Sequence, residues 1–397
     1  MSALGVSSPM NTANSKALVA SDDFPASHRS AYLNTASVCL VYAGAEHATT
    51  AWFADLAEHG TSQFDEKAET AVFAGLHAAA AKLLNSRPTD IAAGSSATEL
   101  IASIAWAVAP PQGSNIVAVE AVFPSTVYPW MRVATHTGAE MRWVGKGGGL
   151  VTDDDVIAAI DERTSVVALS HVEYRTGYRY DLGRLADAAH ENGALLVVDA
   201  SQSAGAITID VSSNEVDALI VGSYKWLCGP FGAAFMYLDP ALQATLEPGL
   251  VGFRSHRNMW DLEAQRIEFA QDATRFEFST MAYGCAIGLA TAIDYLLGVG
   301  VETIFEWNTS LADLLIDGLD QLGADVISPR SGSERTSIVA ARFIGTDVDG
   351  LVHALDEAGV VASARMGALR FSPHLYNTTD DIDRALEVLR RTDKASG

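Results

Sequence analysis

The stretch VVDASQSAGAITIDVSSNEVDALIVGSYKWLCGPFG, Val197 to Gly232, contains two apolar runs that each lead into a polar group. The first ends in Asp199, and the second passes through Ser223 and Tyr224 to Lys225. Unbroken apolar runs suit strands covered on both faces, and two in succession with a long connection suit neighbouring parallel strands. Ligands bind open α/β sheets outside the carboxyl ends of the strands, which is where Asp199 and Lys225 then fall. A carboxylate held at a sheet edge needs a partner, and an amine one strand away supplies it. The Gly229-Pro-Phe-Gly232 turn folds the backbone back toward the same edge.

The alternation continues on both sides. Apolar runs at Asn115–Val122, Met141–Val144, Ser165–His171, Ala194–Ala200, Val216–Ser223 and Ala233–Leu238 read as strands. Ala97–Val108, Asp153–Ile160 and Asp181–Asn192 carry apolar residues at three- and four-residue spacing and read as helices. Together they predict βα units around a mainly parallel sheet, an α/β fold with helices on both faces. Beyond about Gly284 the pattern becomes two long helices, Ile287–Leu297 and Glu302–Leu322, then short strands at Thr336–Phe343, Val360–Ala364 and Ala368–Phe371, and two more helices. The expected organisation is a loose tail over residues 1–22, a large domain over 23–285 that includes the N-terminal segment, and a small α+β domain over 286–397. The acidic runs Asp153–Asp155 and Asp380–Asp383 read as solvated helix starts.

The 397 residues carry 26 Lys and Arg against 49 Asp and Glu, a formal charge of −23. A field of that sign repels nucleic-acid phosphates and acidic membrane surfaces, so neither is an expected partner. With 49% hydrophobic and 19% charged residues the chain is too apolar for disorder, and the surplus fits either a large core or an oligomer. The absence of a long apolar run or a basic, apolar leader predicts a cytoplasmic protein. Cys39, Cys228 and Cys285 are odd in number and lack the spacing of a disulfide framework or zinc ribbon, so no disulfide and no metal site is expected.

A lysine and an aspartate meeting at a sheet edge suit pyridoxal phosphate, whose aldehyde the amine carries and whose pyridine nitrogen the carboxylate keeps protonated. Asp199-Ala-Ser-Gln202 followed by Gly222-Ser-Tyr-Lys225-Trp-Leu-Cys-Gly-Pro-Phe-Gly232 resembles the signature of class V aminotransferase-fold enzymes of fold type I, the group that contains cysteine desulfurases and kynureninases. The resemblance extends over nearly the whole chain. It implies pyridoxal 5′-phosphate as cofactor, Lys225 as its carrier and Asp199 as the partner of the ring nitrogen. It also implies that Gly94-Ser-Ser96-Ala97-Thr98-Glu99 is the phosphate turn, with Ser96, Ala97 and Thr98 at the anion. Phe123 is then expected to stack on the ring, Gln202 to reach its phenolic oxygen, and Ser223 and Tyr224 to reach the phosphate.

In His171-Val-Glu-Tyr-Arg-Thr176-Gly177 the resemblance places Thr176 at the cofactor and gives His171 a stacking or proton-moving role. Thr280, in Phe278-Ser-Thr280, resembles the residue that crosses a dimer interface to the partner's phosphate, which implies a homodimer with shared active sites. Asn34, in Tyr32-Leu-Asn34-Thr-Ala36, is expected near an amino-acid substrate. Arg370, in Leu369-Arg370-Phe-Ser-Pro-His374, is expected to fork its α-carboxylate.

Two departures bear on the reaction. Cysteine desulfurases carry a loop cysteine shortly before that arginine, and Val361-Ala-Ser-Ala-Arg-Met-Gly-Ala-Leu-Arg370 has none. Persulfide transfer is therefore not expected. Glu173, Tyr174 and Arg175 stand where relatives often have Ser and Asn. The first expectation is a Cβ–S lyase that β-eliminates a cysteine-type substrate. The alternatives are an aminotransferase or epimerase, or a kynureninase-like hydrolase. Side-chain recognition is expected from Asn34–Tyr42, Glu173–Tyr178 and Val251–Arg257, with Arg254, His256 and Arg257 as candidates for an acid group. Trp226, Trp130 and Tyr128 read as packing.

Overall fold

The computed structural model describes residues 16–145 and 149–396. After a short strand β1 (Ala31–Tyr32) come β2 (Ile91–Gly94), β3 (Asn115–Val119), β4 (Glu140–Val144), β5 (Thr164–Ser170), β6 (Leu195–Asp199), β7 (Ala218–Gly222) and β8 (Ala234–Leu238). Strands β2 to β8 form one seven-stranded sheet in the order β2-β8-β7-β6-β5-β3-β4. All pairs are parallel except the two made by β8. β3, β7 and β8 are buried at every residue, which explains their unbroken apolar sequences. β2 is missing from the strands expected above because Ile-Ala-Ala-Gly is short and only one of its residues favours a strand.

Helices cover both faces. Leu100, Ile104, Trp130 and Val133 pack with Val166 and Val197 on one face. Leu76, Leu185 and Ile293 pack with Val167 and Val198 on the other. Successive residues of β5 and β6 thus point to opposite layers. The helix Tyr283–Val299, expected with the small domain, buries Leu289, Ile293 and Leu296 in this large core. It lies flush against the helix Ala43–His59 because Gly288 has no side chain: a Cβ there would stand 2.9 Å from the Ala45 carbonyl oxygen.

A second, smaller core is built on β9 (Asp325–Val326), β10 (Val339–Arg342), β11 (Val360–Val361), β12 (Ser363–Arg365) and β13 (Ala368–Phe371). Four of these form an antiparallel sheet in the order β12-β13-β10-β9. β1 pairs in parallel with β11, Ala31 opposite Val360, and Asn34 bridges to Ser372. The N-terminal segment, read with the large domain, therefore buries Ala31 and Leu33 beside Leu355 and Phe371 in the second core.

Residues 1–15 of the expected tail lie outside the described residues. From Leu18, whose amide donates to the Leu375 carbonyl at 3.1 Å, the chain is tied down. Asp153 is buried rather than solvated, accepting from the Tyr178 hydroxyl at 2.6 Å and the Asp181 amide at 2.7 Å. Among the described residues no single helix is long and apolar enough to cross a membrane.

Candidate active site

β6 and β7 are adjacent and parallel, so Asp199 and the turn after Gly222 leave the sheet at one edge. Asp199 is buried, its Oδ1 accepting from the Ser201 amide at 2.9 Å and its Oδ2 from the Thr126 hydroxyl at 2.8 Å. Both bonds fix the direction of the carboxylate. Thr126 lies in the first turn of the helix Pro124–Thr137, of which Phe123 is the N-cap residue. Its only signal in the sequence is that place, three positions after Phe123.

The Lys225 Nζ stands 5.4 Å from the centre of the Phe123 ring and 5.9 Å from that of Tyr224. Burial pushes the amine down to about 8, with Asp199 opposing the fall and Arg370 adding to it. An amine that loses its proton this readily is suited to attack an aldehyde.

The helix Ala97–Val108 begins at Ser96, whose hydroxyl accepts from the Glu99 amide at 3.2 Å. The first-turn amides of Ala97 and Thr98 are left for an anion. A Cβ built on Gly222 would lie 3.5 Å from Ser201 Oγ, 3.7 Å from Ala97 Cβ and 3.8 Å from Tyr224 Cε1. The helix start, the loop after Asp199 and the turn bearing Lys225 thus surround one spot. The Tyr224 ring stacks on Phe231 at 4.6 Å.

Other expected cofactor residues are turned elsewhere. Ser223 is fully buried and its hydroxyl donates to the Pro230 carbonyl, inside the Gly-Pro turn. Thr176 donates to Glu173 Oε2 through its hydroxyl at 2.7 Å and its amide at 2.8 Å. The His171 ring is bonded to the Ser203 hydroxyl at 2.9 Å and lines a cavity with Arg179, Tyr180 and Ile207 that includes neither Lys225 nor Asp199. Burial pushes that imidazole down to about 3, so it is neutral. Its amide donates to the Asp199 carbonyl at 3.0 Å.

Gln202 donates to the Ala36 carbonyl at 2.9 Å and accepts from the Trp226 indole at 2.8 Å. Trp226, read as packing, therefore sets the direction of Gln202. Thr280 is exposed in the single chain and its side chain is hydrogen-bonded with that of Tyr283. Cys39 and Cys228 place their sulfurs 3.1 Å apart, with His374 in the same buried cluster. No spacing rule reveals a pair brought together from opposite ends of the large domain. The Cys39 amide donates to the Tyr224 carbonyl at 2.9 Å, so this cluster braces the lysine turn from behind.

Arg370, on β13, is 1% exposed. It donates to the Tyr174 carbonyl and to Ser37 Oγ, both at 2.6 Å, and its Nε is buried without a partner. Burial lowers its pKa to about 10, so it remains a cation, and no carboxylate is hydrogen-bonded to it among the described residues. Asn34 Oδ1 is a second buried atom without a partner. An α-carboxylate would supply what the guanidinium lacks.

The other expected acid-binding residues have partners of their own. Arg254 packs 4.7 Å over the Phe73 ring and lies 3.8 Å from Glu277, Arg257 pairs with Glu268 at 2.5 Å, and His256 accepts from the Asn258 amide at 3.0 Å.

The residues present fit pyridoxal phosphate. Asp199 offers a carboxylate held in direction by two hydrogen bonds, Lys225 an amine with no acceptor bonded to it among the described residues, Phe123 a half-exposed aromatic face and the Ala97 helix its free amides. Residues 41–385 match the family model for class-V aminotransferases. The uncharacterized aminotransferase YcbU of Bacillus subtilis (strain 168) is 26% identical over 309 residues, 78% of this chain and 80% of that protein. A probable cysteine desulfurase of Mycobacterium leprae (strain TN) is 30% identical over 300 residues, covering 71% and 70%. The fold also matches a solved cystine C–S lyase bound to its product cysteine persulfide, with a TM-score of 0.84, 23% identity and coverage of 92% of this chain and 98% of that one. The chain belongs to the class-V aminotransferase family and is a pyridoxal-phosphate-dependent enzyme.

Proposed function

We propose that the enzyme is a Cβ–S lyase that β-eliminates a cysteine-type amino acid. The observation that carries this reading is the hairpin before Arg370. β12 and β13 are joined by Met366 and Gly367 alone, with φ of 49° and 77°, and no thiol lies on this hairpin to receive sulfur. The groups that prepare a substrate for elimination stand around it. The fold neighbour that is a cystine C–S lyase supports the same reaction class.

Bound pyridoxal phosphate supplies the electron sink for a carbanion at Cα. Arg370, whose buried Nε has no partner, holds the α-carboxylate. The Lys225 amine, with its lowered proton affinity, takes the proton from Cα. Thr126 and Ser201 fix the Asp199 carboxylate in the direction from which it would meet the ring nitrogen. Phe123, its ring 5.4 Å from the amine, would cover one face of the cofactor ring. The working unit is a cytoplasmic homodimer in which Thr280 reaches the partner's phosphate. A second reading, transamination, draws on the relative named as an aminotransferase.

The test is product analysis of the holoenzyme with S-substituted cysteines, kynurenine and common amino donors. Pyruvate, ammonia and a released thiol are expected from the S-substituted cysteines. Pyridoxamine phosphate accumulating with a keto acid would replace this reading by transamination. Lys225→Ala should lose turnover and the cofactor's absorbance band at about 400 nm.

A further inference from the structure

Beside Arg370 lies a group of cations that the proposed reaction does not use. Arg365, at the end of β12, donates through Nη2 to Ser37 Oγ at 2.9 Å, and Arg370 donates to the same oxygen at 2.6 Å. One neutral hydroxyl thus stands between two guanidiniums. Arg365 has no other hydrogen bond than one to the Ala364 carbonyl, and no carboxylate pairs with it among the described residues. Like charges so close repel one another, and an anion between or beside them removes the repulsion.

The space next to Arg365 is a cleft of about 280 Å³. It is lined by Arg175, Thr176, Ile327, Arg342, Arg365 and Met366, with Gly149 and Leu150 at its rim and no Asp or Glu among the described lining residues. The nearby acid, Glu173, has both oxygens engaged by Arg175 and Thr176. Arg342 and Arg365 form no ion pair among the described residues, so with Arg175, which is paired with Glu173 at 3.1 Å, they leave the cleft positive on a chain whose formal charge is −23. The cleft also adjoins the carboxylate clamp, because Tyr174, the neighbour of Arg175, supplies the carbonyl that holds Arg370. Its volume is small for a drug-sized ligand, which needs roughly 300–1,000 Å³, and suits a short acidic side chain. The two-residue turn at Met366-Gly367 fixes the backbone beside Arg365, so the guanidinium is presented from a rigid element.

We propose that this cleft selects substrates carrying a second anionic group, a carboxylate or a sulfur oxyanion at the end of the side chain, held by Arg365 with Arg175 and Arg342. The inference rests on the amino-acid reading above and names the substrate class within it. Arg370 takes the α-carboxylate, and Ser37 spaces the two anion sites.

The holoenzyme is titrated with L-aspartate against L-asparagine and with L-glutamate against L-glutamine, reading the absorbance of the bound cofactor. S-sulfo-L-cysteine is compared with S-methyl-L-cysteine by kcat/KM. The charged member of at least one pair should be favoured by about tenfold or more, the range of a charge-assisted bidentate contact. Arg365→Gln should bring that ratio close to one, and Arg365→Lys, which keeps the charge and loses the fork, should retain part of it. A ratio is used because a merely structural role for Arg365 would weaken both members alike. Equal response within each pair, or a preference that survives Arg365→Gln, overturns the inference and leaves the amino-acid reading standing. Silence from all six compounds overturns both.

Discussion

Lys225 combines a reactive group with an electrostatic cost. Its amine titrates near 8 in the folded chain without cofactor, against an ordinary value of 10.5. Between those values the unfolded chain binds a proton that the folded chain does not, so unfolding takes up a proton and stability rises with pH. Below about 8 the amine is charged in both states, and the cost of burying it is constant. Cofactor-free Lys225→Met should therefore be more stable than the parent at pH 7, and its advantage should shrink as pH rises from 8 toward 10. Urea unfolding at several pH values measures this, and a gap that does not change with pH would mean that the amine is hydrated.

At this scale the sequence was a partial guide. Asp199 and Lys225 were legible because each follows an apolar strand that fixes where it emerges. Ser223 and Thr176 were legible as residue types but not in direction: both hydroxyls are satisfied within their own turns. Thr126, Ser37 and Trp226 were illegible, since their roles depend on partners that only the folded chain brings near.

Among the elements, the hairpin of β12 and β13 has the most unusual backbone. Both turn residues have positive φ, the requirement of a type I′ turn, and Met366 meets it without being glycine. A left-handed L-residue costs roughly 1–2 kcal/mol, and Met366 is 75% exposed, so its side chain contributes little packing in return. Met366→Gly should raise stability by about 0.5–1 kcal/mol in chemical denaturation. A loss instead would mean that the methionine packs on a surface absent from the single chain.

The helix Ala97–Val108, with its long apolar periodicity, was legible from the sequence at its observed bounds, and so was the short strand β13. β1 and β2 were not. They are two and four residues long, and each is a strand only because of a partner far along the chain.

For the molecule as a whole, the α/β sheet and the smaller C-terminal sheet were both visible in the pattern, but their packing was not. Nothing in the local sequence says that Tyr283–Val299 joins the large core or that Ala31 and Leu33 join the small one. The exposed Thr280 bears on assembly. If it completes the partner's phosphate site, sedimentation should give a dimer, and Thr280→Ala should weaken pyridoxal phosphate binding roughly tenfold, the loss of one hydrogen bond to an anion, while leaving the dimer intact. A monomer with full cofactor affinity would refute the shared site.

The pairing of Ala31 with Val360 also sets the order of events on the ribosome. At ~5–20 residues per second, about 16–66 s separate the synthesis of these two partners. The large sheet, with Asp199 and Lys225 already at its edge, can be in place while the segment that carries Asn34 and Ser37 still waits for β11. A nascent chain released before Val360 would hold the lysine and the aspartate without Arg370 or the pairing that seats Asn34 beside it, leaving cofactor chemistry exposed with nothing to select its substrate.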